Sequence, residues 1–476
     1  MEGSSTPRSV QRSALIVATM ASFLTPFLGS SINVALPTIG ESLGMDAVAL
    51  SWVATAFILA SAVFLVPVGR VADMVGRRKV FIAGMALFTL SALGCGLARS
   101  AWMLVAFRGV QGAAAAMIFG TGLAILTAVF PAGERGRVLG LNAATVYTGL
   151  SAGPFFGGLL THHWGWRSIF LISVPAGIAT AIVAWRGLKG EWKGETKGRF
   201  DTIGCAIYAL GLVALTLGFS ASRGVVGVGL VVGAVVVLWL FFRWERRIAN
   251  PMLDVALLSR NVVFARSSLA ALINYSATFA VTFLLSLYLQ YVRGLDPRGA
   301  GLVLLTQSVV MAVVSPLAGR LSDRLEPRLV ASLGMGLSVV GLVWLCFLRA
   351  DTPMASIIAT LIVLGTGFGL FSSPNTNAIM SSVEKRDYGV ASATVGTMRM
   401  VGQMLSMGLA AAVLSIYVGH TAITPALHGS FLAGVHVAFL ISSVLCVVGV
   451  FASLSRGNMR PAPMASSASG AGSGRK

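Results

Sequence analysis

Charge is scarce in this sequence: Asp, Glu, Lys and Arg make up 11% of 476 residues, against a hydrophobic share of 56%. A water-soluble domain carries about a quarter charged residues, so composition excludes an ordinary soluble fold. Acid is scarcer still, with 16 Asp and Glu to 35 Lys and Arg and a net charge of +19. In a soluble protein that excess would suggest nucleic acid, but such binding needs a basic face on a folded aqueous module. Here the charges fall between long apolar runs, and no nucleic-acid partner is expected. The four cysteines, Cys95, Cys205, Cys346 and Cys446, lie in four different runs with no CxxC spacing. They read as buried structural thiols rather than a disulfide or a metal site. Of the histidines, His162, His163, His420 and His428 fall at run ends and His436 enters the last run, without a metal-ligand pair, so interfacial packing is their expected role. No GxxxxGK[ST] loop is present, so ATP is not the expected power source. No mid-membrane Ser/His pair, paired carboxylates or metal cluster points to an enzyme, and no cofactor is expected.

Apolar length is what the sequence has in abundance. Runs of about 20 residues, enough helix to cross roughly 30 Å of hydrocarbon, extend approximately over Ala14 to Pro37, Leu50 to Pro67, Val80 to Ala98, Trp102 to Ala128, Val138 to Leu160, Ser168 to Trp185, Thr202 to Ser220, Val225 to Phe242, Ser267 to Val292, Ala300 to Ala318, Leu329 to Phe347, Met354 to Met380, Ala391 to Val418 and Ser430 to Leu454. They predict an all-α polytopic membrane protein of 14 transmembrane helices. The first run is too long for a signal-peptide core and is read as a span. With the N-terminus inside, the cytoplasmic segments hold Arg8, Arg12, the cluster from Arg70 to Lys79, Arg135, Arg137, the basic residues of 186–199, 243–266 and 320–328, Lys385, Arg386 and the tail. The outer loops hold only Arg99, Arg167, Arg223, Arg293, Arg298 and Arg349. The positive-inside bias predicts both termini in the cytoplasm and a place in the cell membrane, so the basic charge is topological.

The chain also repeats itself. "GRVADMVGRRKV" from Gly69 returns 250 residues later as "GRLSDRLEPRLV" from Gly319, pairing Arg70 with Arg320 and Asp73 with Asp323. "AATVYTG" at Ala143 returns as "SATVGTM" at Ser392. Two parallel six-helix repeats follow, with spans seven and eight inserted between them. The expected layout is a cytoplasmic N-terminus over 1–13, a six-helix bundle over 14–185, a linking region over 186–266 that holds the inserted helices at about 202–242, a second six-helix bundle over 267–454, and a disordered cytoplasmic tail over 455–476. "FRWERRIANPMLDVALLSR", after the eighth span, reads as an interfacial amphipathic segment.

Four further patterns carry a mechanism. In the first loop the glycines permit a tight turn, and Asp73 can pair with an Arg or cap a helix, a charge latch that breaks when the halves rock. The plain alternative is an ordinary positive-inside loop. In the second copy Glu326 and Pro327 replace Gly76 and Arg77, which predicts a weaker latch. "RGVQG" puts Arg108, Gln111 and Gly112 within the fourth span. An ionisable group at depth is costly and points to function, although Arg108 is near enough to the outer surface to snorkel. "GLSAGPFFGG" gives Gly149, Gly153, Pro154, Gly157 and Gly158, small residues four apart that let helix backbones touch around a local bend. "WGWRSIFLISVPAG" from Trp164, "FDTIG" at Phe200 and "LYLQYVRGLDPRGAGL" at Leu287 supply interfacial anchors.

In this order and over nearly the whole chain, these stretches resemble the major facilitator superfamily, specifically its fourteen-helix drug:proton antiporter branch of multidrug efflux type. The resemblance implies two six-helix bundles plus two inserted helices. It also implies a gating latch of Gly69, Arg70, Asp73, Gly76, Arg77 and Arg78 with its copy at Gly319, Arg320 and Asp323. Arg108 would take part in proton transfer or substrate-linked hydrogen bonding, and the glycine pattern in helix 5 marks exporters. Efflux of small amphipathic molecules by alternating access follows, from a monomer in the lipid bilayer, with protons as the coupling ion.

One segment departs from the branch. Its helix 1 signature places an Asp five residues before the Asn and a Thr three before; anchored on Asn33, those places hold Leu28 and Ser30. All 16 carboxylates fall at termini, loops or helix ends. A lipid-depth carboxylate is the usual proton carrier and the usual partner of a cationic drug. Coupling would then fall to Asp73 or a loop carboxylate. What remains at depth is Arg108, Arg399 and amides including Asn33, Gln111 and Gln403, a set that favours neutral or anionic substrates over lipophilic cations. Alternatively, Arg399 only bonds carbonyls or amides between helices. The rival readings are an uncoupled facilitator or exchanger of organic anions or metabolites and, in another class, a non-transporting membrane receptor.

Overall fold

A backbone in hydrocarbon must satisfy its own N–H and C=O groups, so apolar runs of this length become helices. A computed structural model describes residues 7–192, 200–221, 224–248, 251–252, 255–384 and 388–457. The spans are α1 (Arg8–Leu43), α2 (Ala47–Val75), α3 (Arg77–Gly96), α4 (Ala101–Val129), α5 (Ala132–Trp164), α6 (Arg167–Gly187), α7 (Thr202–Ser220), α8 (Val225–Glu245), α10 (Val262–Thr278) continued by α11 (Ala280–Leu287), α12 (Pro297–Arg324), α13 (Pro327–Leu345), α14 (Met354–Ser381), α15 (Tyr388–Tyr417) and α16 (His428–Leu454). The amphipathic segment yields the short α9 (Val255–Arg260), while its residues 249–250 and 253–254 lie outside the described residues. So do 193–199 of the link, Lys385, Arg386 and the tail from 458 onward.

Thirteen of these spans are both long and apolar enough to cross a membrane. The fourteenth, α5, has 33 residues, but its glycines, threonines, Asn142 and Pro154 dilute its hydropathy. The helix that carries the glycine pattern is thus the least lipid-like of the set.

The ninth predicted span, Ser267 to Val292, is not one helix. It breaks at Phe279 and ends in a π-helical turn, Tyr288–Val292. Ser276 and Thr278 turn their hydroxyls back onto Leu272 O and Asn274 O, at 2.7 and 2.8 Å, a habit that bends helices. The Ala280 N–H leaves the ladder and donates to Ser406 Oγ of α15 at 3.0 Å.

Helices α1–α6 form an N half, with α1 on α5 and α6, α2 on α4, and α3 on α4 and α6. Helices α10–α16 form a C half, with α14 between α12 and α13, and α10 between α15 and α16. The halves meet along two seams, α2 on α15 and α5 on α12. The inserted α7 and α8 pack on each other, and α7 alone leans on α2 and α15. On α8, Val225 is 91% exposed, as befits a lipid-facing hairpin.

We call the end that gathers Arg70, Arg77, Arg78, Lys79 and Arg328 the basic face. There the C half is tied by Arg456, just past α16, which is 1% exposed. Its guanidinium donates to Ser267 Oγ, Asn375 Oδ1 and Ser453 Oγ at 3.0, 2.7 and 2.9 Å, joining α10, α14 and α16. Burial pushes its pKa down to about 10, so it remains charged at neutral pH.

Candidate functional site

The polar knot of α1 is explained by its proline. Pro37 has no N–H, so the carbonyl one turn earlier, Asn33 O, loses its partner within the helix. Ser286 of α11, in the other half, donates its hydroxyl to that carbonyl at 2.7 Å. Gln290 donates to Val34 O at 2.9 Å and to Ser286 Oγ at 3.0 Å. Ser31 Oγ donates to Gly153 O of α5 at 2.9 Å. These hydroxyls therefore stitch α1 to both halves. Leu28, which stands where the family signature has its acid, is fully buried in the apolar core, so no open site forms around that position.

The glycines of α5 are required by close approach. A Cβ at Gly149 would strike the Phe23 carbonyl, one at Gly153 the Ser30 hydroxyl, and one at Gly157 the backbone of Ser31. That ladder faces α1, within the N half. Gly158 points elsewhere: a Cβ there would strike the Pro297 carbonyl at the start of α12. Gly301 of α12 returns the contact against Pro154 O. One helix thus serves both its own half and the seam, with the Ser151 hydroxyl donating across it to Ser308 O at 2.9 Å.

The two deep arginines are kept apart. Arg108 lies seven residues into α4, about 10 Å below the end away from the basic face. It is 1% exposed, donates to Val53 O at 3.0 Å and Gln111 Oε1 at 2.6 Å, and lies 4.4 Å from the Phe57 ring centroid. All three partners belong to the N half, so Arg108 does not share an open cavity with Arg399 in this state. Arg399 lies 18 residues before the end of α15, about 27 Å from the same level. It is half-buried, and its guanidinium sits 5.5 Å from the Phe119 ring of α4, across the seam. Gln403 is half-buried one turn further along α15.

Around Arg399 the structure assembles residues that the sequence did not single out. Tyr147 of α5 and Ser372 of α14 share a hydrogen bond of 2.9 Å between the halves. Tyr275 of α10 packs edge-on to Phe368 of α14 at 5.5 Å and lies within electrostatic reach of Arg399 and Tyr147. Phe119, Tyr147, Tyr275, Phe368 and Arg399 are all half-buried at mid-membrane depth. The available signal was depth: tyrosines ordinarily sit at membrane interfaces, and these two lie well inside their spans.

At the basic face, Gly76 takes φ +128°, a region that favours glycine, and turns α2 into α3. Asp73 accepts from Arg77 Nε at 2.9 Å across that turn. Glu191, from the segment after α6, accepts the Arg78 backbone N–H at 2.8 Å, and the Arg78 guanidinium donates to Trp185 O at 2.8 Å. These bonds stay within the N half. In the second copy the chain turns through Leu325 and Glu326 with negative φ. Gly319 and Arg320 lie near the end of α12, Arg320 exposed; Asp323 belongs to the same helix, and its side chain lies outside the description.

Every carboxylate of the described residues sits in a terminal turn of a helix or beyond one, as the sequence indicated. Among the described residues, polar contacts between the halves include Tyr147–Ser372 at mid-depth and Ser151–Ser308, Ser286–Asn33 and Gln290–Val34 from there toward the end away from the basic face. Half-buried polar and aromatic groups facing a seam, in an all-helical membrane protein with an internal repeat, suit passage of a small molecule between the halves.

Comparisons with known proteins agree. The sequence profile described as Major Facilitator Superfamily matches residues 18–407, with a second match over 267–473. The chain is 33% identical over 415 residues to the multidrug resistance protein Stp of Mycobacterium tuberculosis, covering 85% of this chain and 76% of that protein. It is 29% identical over 385 residues to the riboflavin transporter RibZ of Clostridioides difficile, covering 81% of this chain and 84% of that protein. Its fold resembles the crystal structure of a bacterial homologue of the human lysosomal transporter Spinster, inward-facing and unoccupied, with a TM-score of 0.68, 16% identity, and coverage of 94% and 97% of the two chains. By its repeat, its fourteen spans and this profile, the chain is a multi-pass membrane transporter and belongs to the Major Facilitator Superfamily.

Proposed function

We propose that this transporter exports small amphipathic molecules, neutral or anionic, by alternating access between its two halves, with the basic face toward the cytoplasm. The observation that carries the substrate class is the Arg399 cluster: a guanidinium among Phe119, Tyr147, Tyr275 and Phe368, with no carboxylate at that depth among the described residues. A lipophilic cation would meet like charge there, whereas a flat aromatic molecule or an organic anion would meet stacking faces and a cation. The resistance protein among the relatives supports export. Alternating access is supported by the internal repeat and by the described polar contacts that fasten the seams away from the basic face.

Proton coupling is part of this reading and has no membrane-depth acid to serve it. Asp73, in its bond with Arg77, or a loop carboxylate is what the sequence offers for that role. Transport into inverted, purified proteoliposomes under an imposed pH gradient tests it. Flux that follows the gradient supports antiport, and equilibration indifferent to it supports the rival, a facilitator or exchanger of metabolites. The RibZ relative and the aromatic faces around Arg399 favour that second reading. Arg399→Ala is expected to reduce transport of acidic substrates at least tenfold; unchanged uptake into inverted vesicles would remove the anion reading.

A further inference from the structure

The second helix of each half starts from an aspartate. Asp46 caps α2 and Asp296 caps α12, and the two stand 250 residues apart, the spacing of the internal repeat. Each uses its two oxygens differently. Oδ1 accepts the backbone N–H three residues on, Ala49 at 2.7 Å and Gly299 at 2.8 Å. Oδ2 reaches the other half: Asp296 meets Nδ1 of His162, at the end of α5, at 3.1 Å, and Asp46 meets Nδ1 of His420, just past α15, at 3.3 Å. Helices α5 and α15 are the fifth spans of their repeats. The pairs are therefore repeat-related and cross the seams in opposite directions. Beside the second, the Ala47 N–H donates to Thr421 O at 3.1 Å, so backbone joins side chain in closing this end.

We propose that His162–Asp296 and His420–Asp46 form a doubled outer latch, which holds the face away from the cytoplasm shut when the external solution protonates both imidazoles and loosens when they are neutral. The proposal rests on the alternating-access reading and on the orientation given above. Both pairs are open to solvent: the His162 and His420 side chains are 41% and 68% exposed, and Asp296 and Asp46 48% and 29%. External protons reach them directly, and each pair alone has a modest effect because water screens it. Two pairs acting on one rigid-body motion multiply their effects on the equilibrium. Imidazole is the side chain whose charge changes most readily in mildly acidic solution, so closure is favoured on the acid side.

The elements that meet here carry other groups that modulate the latch. His163 lies edge-on to His162 at 4.9 Å. Arg298 follows Asp296 on α12, Glu41 ends α1, Tyr417 ends α15 and His428 opens α16. A proton taken up at this rim returns to the same solution when the latch opens. The pairs therefore set which state is populated without carrying net protons, which separates them from the coupling site.

Spin labels at Trp164→Cys in the N half and Phe347→Cys in the C half, each 72% exposed, report on this rim. The full chain, with its four native cysteines replaced, is placed in lipid nanodiscs and measured by double electron–electron resonance at about pH 5.5 and about pH 8. The ratio of short to long distance is expected to fall roughly fivefold on raising the pH. His162→Asn with His420→Asn is expected to show the high-pH ratio throughout. So is Asp46→Asn with Asp296→Asn, because asparagine caps a helix as well as aspartate does. His162→Lys with His420→Lys, which stays charged, is expected to hold the low-pH ratio at both. Two distances whose ratio ignores both pH and variant would overturn the latch and leave alternating access standing. One distance under every condition, substrates included, would overturn alternating access and the latch together.

Discussion

The two ends of the molecule are fastened in different ways. Away from the basic face, backbone meets backbone between the halves: Gly158 lies against Pro297, Gly301 against Pro154, and Ser286 fills the carbonyl that Pro37 leaves bare. At the basic face, the bonds made by Asp73, Arg77, Arg78 and Glu191 close within one half, and Arg456 does the same in the other. Close backbone contact tolerates no added atom, whereas long charged side chains re-pair at little cost. One end is a packed joint between the halves, and the charges named at the other end bond within their own halves.

Breaking the joint is expected to have the largest effect. Gly158→Ala drives a Cβ into the Pro297 carbonyl, and overpacking of this kind costs about 1–3 kcal/mol. Because the clash lies between halves, label distances across that rim are expected to lengthen, with the open population rising roughly tenfold. Gly149→Ala makes the same kind of clash with Phe23 inside the N half. It is expected to lower the melting temperature and leave those distances alone. If both variants change the distances equally, the separation of the two glycine roles fails. Ser286→Ala leaves Asn33 O without its donor and is expected to cost about 1 kcal/mol in thermal unfolding. At the basic face, Arg77→Ala removes a partly exposed pair, an expected loss of under about 1 kcal/mol. Arg320→Ala, whose side chain is exposed, should be thermally silent. A larger loss at Arg320 than at Arg77 would reverse the ranking of the two loop copies.

Much of this was legible in the chain. Thirteen of the spans follow from apolar length and α5 from its place in the repeat, and the two halves follow from a repeat that places Gly319 on Gly69. The glycines of α5 were legible as small residues four apart; that Gly158 serves the seam while Gly149, Gly153 and Gly157 serve α1 was not, because a four-residue spacing names a face and not its neighbour. The break at Phe279 was hidden because no proline or glycine marks it; it follows from hydroxyls of Ser276, Thr278 and Ser406 competing for backbone groups. The histidines read as interfacial packing, since a partner some 134 or 374 residues away in sequence leaves no local trace. Arg108 and Arg399 read alike as charges at depth, yet one is sealed against Val53, Gln111 and Phe57 while the other borders the opposite half.

By itself, the sequence determined a polytopic helical membrane protein built as a repeat with its acids kept out of the spans, because hydropathy, charge placement and repeat spacing are properties of the chain alone; its resemblance to the major facilitator superfamily added the transporter. Only the tertiary structure decided which polar groups meet. A hydroxyl, amide or guanidinium in a helix states what it can bond, and its partner is set by which helix packing brings within 3 Å, as Ser286 finds Asn33 O and Asp46 finds His420.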